Sequence, residues 1–543
     1  MDRRTLIIGV FVIFILAALS YWYFAARDQQ LPAVPRGDQE LAWFHTATNY
    51  SSWERFVTGV NRVSRAWPEL RVDDSKAFPE ATTATPELAL TLSGQPGRIL
   101  IRWYKFTKGV SAADWMARLG QRSPPPLVVI GGGSSDRALD LARAMAGQKS
   151  WRGSPPLLFI TTATASTITD ANELIPVELM KIYPDRSFRM AFTNDQIAQA
   201  IVDFVWSQPE LRPHGDPTPT LATIGFASDE NPLTPVAMLP VQAELGAPSV
   251  TGLEWDDDPY SIDLSNQFHR VLHEPKWGPV IVRERRSIPF SIGGQFTPNK
   301  WEAQAADHLL SGLTVSPLER QLLVLPTLAA PARRVLRTIT GALPLVGRNL
   351  VAITGDSINL NNVYRDADIG WNARSIPIPL VFFAQQNPVG WDIPAIDEDR
   401  LWPAGQSTGP PVPAADLPHN HQTILTPPTN TDEVLLHRDM IRIICQSAFG
   451  GGVNPPGLIS DSEELRRRLR ALQPPVFDAV GDRQVGQGEY VVWLRPQFFE
   501  PGHPAFSQVL STATLEVWTR TGANWRPVKR LILDHGRTTT SRF

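Results

Sequence analysis

Short apolar runs alternate with longer stretches of helical periodicity along most of the chain. Leu41 to Phe44, Ile99 to Tyr104, Leu127 to Ile130 and Leu157 to Ile160 are each followed by a helix-like segment, the pattern of a parallel α/β sheet covered on both faces. In the first helix Ser51 and Glu54 have capping-box spacing, and Trp53, Phe56, Val57, Val60 and Val63 fall on one face that must pack against the sheet. Ser135 is placed to cap a later helix whose Ala138, Leu141, Ala142 and Met145 point inward and whose end is marked by Gly147. A second α/β set begins near Thr218, with runs Leu221 to Phe226, Val250 to Leu253, Pro279 to Arg283, Leu322 to Leu325 and Leu350 to Ile353. The pattern predicts two lobes: residues 40–212 open the first, 213–377 open the second, and 378–543 supply hinge crossings and complete both. Residues 404–432, rich in proline and polar side chains, read as a surface insertion.

The longest apolar run stands apart from this alternation. Leu6 to Ala26 carries no charge and as a helix would span about 30 Å, the thickness of a bilayer core. Arg3 and Arg4 precede it and Tyr21 to Phe24 close it, which predicts a single-pass signal anchor with the N-terminus inside and the body in the periplasm or another extracytoplasmic space. A cleaved signal peptide is the rival, with Phe24, Ala25 and Ala26 as a loose cleavage site. Residues 27–39 are polar and proline-bearing and read as a stalk.

Composition narrows the classes. The net charge of -3 gives no bulk attraction to nucleic acid. The single cysteine, Cys445, forbids an internal disulfide and is expected to be a small buried residue on an apolar helix. His419 and His421 have no cysteine or carboxylate at metal-ligand spacing, so no metal is predicted, and no cofactor motif is found. Arg466, Arg467, Arg468 and Arg470 alternate with Leu465 and Leu469 and read as a solvated helix face.

Residues 127–145 (LVVIGGGSSDRALDLARAM) resemble the third strand, glycine-serine turn and helix of type I periplasmic solute-binding proteins, the branched-chain amino-acid-binding type of receptor ligand-binding region. Residues 155–170, ending in Thr169 and Asp170, are similar to that family's next strand and its serine/alanine/threonine ligand loop, and the stretch from Tyr183 to Val205 resembles its Phe-Arg segment and following helix. In the second lobe residues 250–272 resemble a strand, an acidic turn with Pro-Tyr, and a helix; residues 433–473, Val476 to Gln497 and Leu515 to Leu531 resemble the closing helices, glycine-rich connection and strands. The resemblance covers most of residues 40–535 and rests on collinearity. It departs at 228–248, which reads as an addition between strands, at 404–432, and at Thr162, where the family often has proline.

The resemblance implies a two-lobed fold that closes on a small polar solute, an amino acid or related carboxylate, on behalf of an ABC-type permease or a signalling partner in the envelope. In such a sheet the ligand lies beyond the carboxyl ends of the strands. That places Ser134, Ser135, Thr161, Thr162, Ala163 and Thr164 at the candidate site, where hydroxyls and helix N–H groups suit a carboxylate. His45, Thr46 and Tyr50 lie near the same strand ends, with Tyr50 as an aromatic wall, while Trp53 reads as core. Asp258, Tyr260 and Asp356 face them from the second lobe and suit an ammonium or hydroxyl group; helix capping and turn formation explain any one of these residues equally well. Two alternatives belong to other classes. The fold can serve as an envelope sensor or interaction module without a solute. A serine esterase is the other, because Gly355, Asp356 and Ser357 follow an apolar strand as in GDS-type enzymes, with Asp416 and His419 as distant partners.

Overall fold

The computed structural model describes residues 31–81, 84–169, 175–214, 234–238, 258–277, 280–285, 320–329, 331–332, 334–336, 350–358, 378–386, 431–450, 457–486, 488–496, 512–534 and 537–541, with residues 15 and 303 singly. The expected membrane helix therefore lies outside the described residues apart from Ile15, as do residues 404–430 of the expected insertion and the runs at 221–226 and 250–253. Among the described residues no helix is long and apolar enough to cross a membrane.

In chain order the elements are β1 (Gln39–Thr46), α1 (Tyr50–Ala66), β2 (Leu70–Asp73), β3 (Glu87–Leu92), β4 (Ile99–Phe106), α2 (Ala112–Gly120), β5 (Val128–Gly131), α3 (Ser135–Gly147), β6 (Leu157–Ile160), β7 (Thr167–Thr169), β8 (Pro176–Glu178), α4 (Leu179–Ile182), β9 (Ser187–Arg189) and α5 (Asn194–Ser207). They continue as β10 (Thr234–Met238), α6 (Pro259–Leu272), β11 (Val280–Arg285), β12 (Gln321–Leu325), β13 (Leu350–Thr354), β14 (Leu380–Ala384), α7 (Thr431–Phe449), α8 (Ser462–Arg470), β15 (Tyr490–Pro496), β16 (Thr512–Thr521), β17 (Asn524–Asp534) and β18 (Arg537–Ser541).

Two sheets result. The first runs β2-β3-β4-β1-β5-β6-β9, parallel from β4 to β9. The second runs β11-β10-β12-β13-β14, all parallel, and continues antiparallel through β15 to β18. Both faces of the first sheet are covered, which is why its strands are continuous apolar runs. Along β1, Leu41 and Trp43 enter the core under α1, α7 and α8, whereas Ala42 and Phe44 enter the one under α2 and α3.

Several expectations are adjusted. The first helix is capped not by Ser51 but by Asn49, whose side chain accepts from the Ser52 N–H at 3.3 Å; the inward face holds, with Trp53, Phe56, Val57, Val60 and Val63 all buried. At α3 the cap position falls on Ser134 rather than Ser135, and its side chain makes no capping bond. The segment 228–248 is not wholly an addition, because Thr234–Met238 forms β10, which pairs with β11 and β12 inside the second sheet. α5, which precedes the expected boundary at 212, packs in the second core with Leu264, Phe268, Leu322 and Val351. The chain thus crosses to the second lobe after β9, returns to the first at α7, and crosses again between α8 and β15. α7 lies close on α1 because Gly59 has no side chain: a Cβ there would sit 2.7 Å from the Val434 carbonyl oxygen.

The stalk ends earlier than expected, since Asp38 and Gln39 are buried in the body. Asp38 pairs with Arg98 at 2.8 Å. Arg102 donates to the carbonyls of Pro32 (2.9 Å) and Ala33 (3.0 Å) while pairing with Glu40 at 2.7 Å. Arg122 (2.8 Å) and the Tyr104 hydroxyl (2.9 Å) complete the shell of the Glu40 carboxylate, which is 1% exposed. Cys445 is buried on α7 as expected, and its thiol is pushed up by burial.

Candidate functional site

The loops that leave the carboxyl ends of β5 and β6 lie against each other. Gly132 adopts φ +81°, and a Cβ there would stand 2.9 Å from that of Ala138, so only glycine allows this approach. The Ala163 N–H donates to the Gly132 carbonyl at 3.1 Å and the Thr161 N–H to that of Gly131 at 2.9 Å. The hydroxyls join the same two loops, Thr161 to the Gly131 carbonyl at 3.2 Å and Thr162 to that of Gly133 at 3.1 Å. Their O–H donors are spent on the loop, so toward a ligand they retain only lone pairs. Thr164 differs: its hydroxyl is buried, at 1% residue exposure, without a hydrogen-bond partner among the described residues. Ser135 and Ala163 are also buried.

Arg189, fully buried, shapes this loop by donating to the carbonyls of Thr164 (3.1 Å) and Ala165 (2.9 Å), and Asp482 stands 2.9 Å from its Nε. Burial depresses the Arg189 guanidinium and raises the Asp482 carboxyl, with each charge opposing the other's shift.

On the β1 side His45 stacks on Trp43 with centroids 5.3 Å apart and approaches Gly133, whose Cβ would lie 3.1 Å from its Nε2. Burial, aided by the positive charges of Arg137 and Arg55, holds the imidazole down to about 4. Tyr50 is half exposed and its ring rests on Phe78 at 5.6 Å and Trp103 at 6.3 Å. Trp53 is core as expected, its indole N–H donating to the Ala77 carbonyl at 2.8 Å.

The facing residues of the second lobe are largely committed. Asp258 caps α6 by accepting from the Ser261 N–H at 3.2 Å; burial pushes its carboxyl up, and the Asp136 charge on α3 acts in the same direction. The Tyr260 hydroxyl donates to Asp356 at 3.0 Å, Gln385 donates to the other oxygen of Asp356 at 2.7 Å, and the carbonyl oxygen of Gln385 accepts the Phe192 N–H at 2.8 Å. Burial raises both the Tyr260 hydroxyl and the Asp356 carboxyl. This relay ties the end of β13 through the end of β14 to the first crossing.

One decisive residue carries no local sequence signal. Asp263 on α6, 3% exposed, accepts the Ser166 N–H at 3.0 Å, the Thr167 N–H at 3.4 Å and the Asn194 amide at 2.9 Å, with Gln267 at 3.2 Å. Burial raises its carboxyl against these hydrogen bonds. A carboxylate of the second lobe is thereby seated on donors of the segment that follows the ligand loop. Asn194 Oδ1 beside it is buried without a partner among the described residues.

The esterase elements are not brought together within the described residues: the Ser357 hydroxyl donates to the Thr327 carbonyl at 2.9 Å, and Asp416 and His419 lie outside them. Among the described residues no cluster of three or more His, Cys, Asp or Glu could hold a metal, and His419 and His421 lie outside them too.

No protein-family model matches the sequence, and no curated protein matches it. Solved structures do. An ABC transporter substrate-binding protein from Desulfitobacterium hafniense is 12% identical, with 85% of this chain and 98% of that chain covered and a TM-score of 0.44. A leucine-, isoleucine-, valine-, threonine- and alanine-binding protein from Brucella ovis, in a closed conformation, is 9% identical over 91% of this chain and 95% of its own, with a TM-score of 0.46. LpoA of Haemophilus influenzae is 8% identical, with 91% of this chain and 59% of that chain covered and a TM-score of 0.38.

Proposed function

We propose that the chain is a binding protein, held to the inner membrane by its N-terminal segment with the body outside the cytoplasm, that captures a small polar solute between its lobes. The solute class is an amino acid or related carboxylate, and the recipient is an ABC-type permease or a signalling partner. The observation that carries this reading is the chemistry of the lobe boundary. It is joined by hydrogen bonds, from the Ser166 and Thr167 N–H groups to Asp263 and from the Asn194 N–H to the Thr164 carbonyl at 2.8 Å, rather than by a continuous apolar core, and such polar interfaces separate more readily than large hydrophobic ones. The buried Thr164 hydroxyl supplies a donor without an acceptor among the described residues. Closure by a solute requires contacts to both lobes that exist only when closed. A thermal-shift screen of the full chain against amino acids and small carboxylates tests the reading: a saturable stabilisation supports it, and none across the panel removes it.

A second reading is favoured by Asp263 alone. Because its carboxylate already sits on the Ser166 and Thr167 donors, the lobes can stay closed without a solute, as an envelope sensor or interaction module requires. Capture of one reproducible partner protein with no solute response distinguishes it. Turnover is not part of either reading; ester hydrolysis lost on Ser357→Ala would replace both.

A further inference from the structure

The two ring nitrogens of His45 are not equivalent. Nδ1 receives the Thr46 backbone N–H at 2.9 Å, and a backbone N–H is always a donor, so Nδ1 is the acceptor and the proton of the neutral ring sits on Nε2. Burial keeps the ring neutral down to about 4. Nε2 in turn faces the Asn49 Nδ2 at 3.4 Å. That amide is held in its orientation, because its Oδ1 already accepts the Ser51 hydroxyl at 3.0 Å and, as the cap of α1, the Ser52 N–H at 3.3 Å. Two donors therefore stand side by side, and the hydrogen bonds of the described residues give neither one an acceptor. The histidine that carries one of them is only 9% exposed, and a buried donor without an acceptor is costly. One oxygen placed between the two would satisfy both.

The pair sits where the first sheet opens. β1 and β5 are neighbours, but α1, which follows β1, packs on one face of the sheet with α7 and α8, whereas α3, which follows β5, packs on the other with α2. The chain diverges from the two strand ends, and the crevice between them is the topological switch point at which open α/β sheets take their ligands. Across it lies Gly133, where a Cβ would stand 3.1 Å from the His45 Nε2, so no side chain obstructs the approach. Ser134 makes no capping bond at α3, which leaves the first-turn N–H groups of that helix at the same crevice. The charges of Arg137 and Arg55 reach His45, although Arg55 is shared with Glu433 at 2.7 Å and Asp136 in the first turn of α3 opposes them. Recognition here is by neutral N–H donors rather than by net charge.

We propose that the His45 Nε2–H and the Asn49 amide form an oxyanion subsite that takes one carboxylate oxygen of the solute at the junction of β1 and β5. The inference rests on the solute-binding reading above. It moves the anionic end of the solute from the hydroxyls of Thr161 and Thr162, whose protons are spent on the loop, to the end of β1.

The test uses the full chain labelled with 15N-histidine, acetate and benzoate as carboxylate probes, inorganic phosphate as a second oxyanion and benzyl alcohol as the uncharged control. Long-range 1H–15N spectra report which ring nitrogen holds the proton, and the His45 signals are those lost in His45→Phe. The Nε2–H tautomer is expected at neutral pH, with saturable movement of the Nε2 resonance by at least one carboxylate and none by the alcohol. Asn49→Asp keeps the α1 cap but sets a carboxylate where the probe would bind; it should abolish the response with the thermal midpoint nearly unchanged. By calorimetry His45→Phe should weaken carboxylate binding about tenfold or more, and His45→Gln, which restores an N–H, should recover most of it. The proposal is overturned if the proton lies on Nδ1, if neither carboxylate moves the resonance whatever phosphate does, if the alcohol moves it equally, or if binding survives Asn49→Asp. A solute whose affinity falls in Thr164→Ala but holds in His45→Phe and Asn49→Asp would overturn the subsite and leave the solute reading standing, whereas silence of every amino acid and carboxylate removes that reading itself.

Discussion

Asp263 of the second lobe accepts the backbone N–H of Ser166 in the first at 3.0 Å, with the carboxylate buried on all sides. Replacing it with alanine takes the acceptor from that N–H and from the Thr167 N–H and leaves the Asn194 amide only the Tyr260 carbonyl, and hydrogen bonds to charged groups are worth about 1.5–3 kcal/mol. Asp263→Ala should lower the unfolding free energy by about that amount and lengthen the mean lobe-to-lobe distance. Urea denaturation and double-label distance measurements read the two effects; an unchanged distance would deny Asp263 a role in closure.

Glu40 should be the more sensitive carboxylate. Arg102, Arg122 and Tyr104 converge on it, and although Arg102 keeps Glu87 at 2.7 Å, Arg122 loses its carboxylate, and breaking a buried ion pair costs about 3–5 kcal/mol. Glu40→Ala should therefore destabilise the first lobe while solute binding per folded molecule is kept. A thermal midpoint within error of the parent would refute this.

Two histidines predict an acid limb of stability. Burial holds His437 down to about 3 and His45 down to about 4, against an ordinary 6.5, so both are neutral when folded. The unfolded chain takes up protons first, so this contribution is present above about 6.5 and is lost as pH falls toward about 4. Asp258, Asp263 and Asp356, raised by burial, act in the opposite sense above their ordinary range. The comparison with His437→Phe, which keeps a ring against Phe56 (5.0 Å for the native pair), isolates the histidine term. The variant should lose less stability across this window; parallel curves would show that His437 does not contribute.

At the candidate site Thr164→Ala removes a hydroxyl that no described protein group uses, so folding should be nearly unaffected while affinity for an identified solute falls about ten- to a hundredfold. Thr162→Val should act differently, loosening the loop by losing its bond to the Gly133 carbonyl, with a stability loss of about 1 kcal/mol. Equal affinity in Thr164→Ala and the parent would remove this residue from the site.

Much of the architecture was legible because it is local. Leu41 to Phe44 and Leu157 to Ile160 read as buried strands since every residue in them is apolar, and α1 showed its inward face through spacing alone. β10 was missed: a five-residue strand that itself contains Pro235 carries no alternation to distinguish it from an addition. The site was half legible for the same reason. Loop positions follow from strand ends, but the partners of a side chain do not. Asp258 took the capping role that its position before Pro259 allows, whereas Asp263 finds its donors about a hundred residues earlier in the chain, where no spacing rule reaches.

The pinning of Pro32 and Ala33 by Arg102 has a mechanical consequence. Pro32 and Ala33 are bonded to β4, and the chain runs from them directly into β1, so the N-terminal end of the described residues belongs to the first lobe. The first lobe is then a stator and the second a rotor. Any change in lobe angle appears, to an observer fixed on Pro32 and Ala33, as displacement of the whole second lobe, whose sheet β15 to β18 extend.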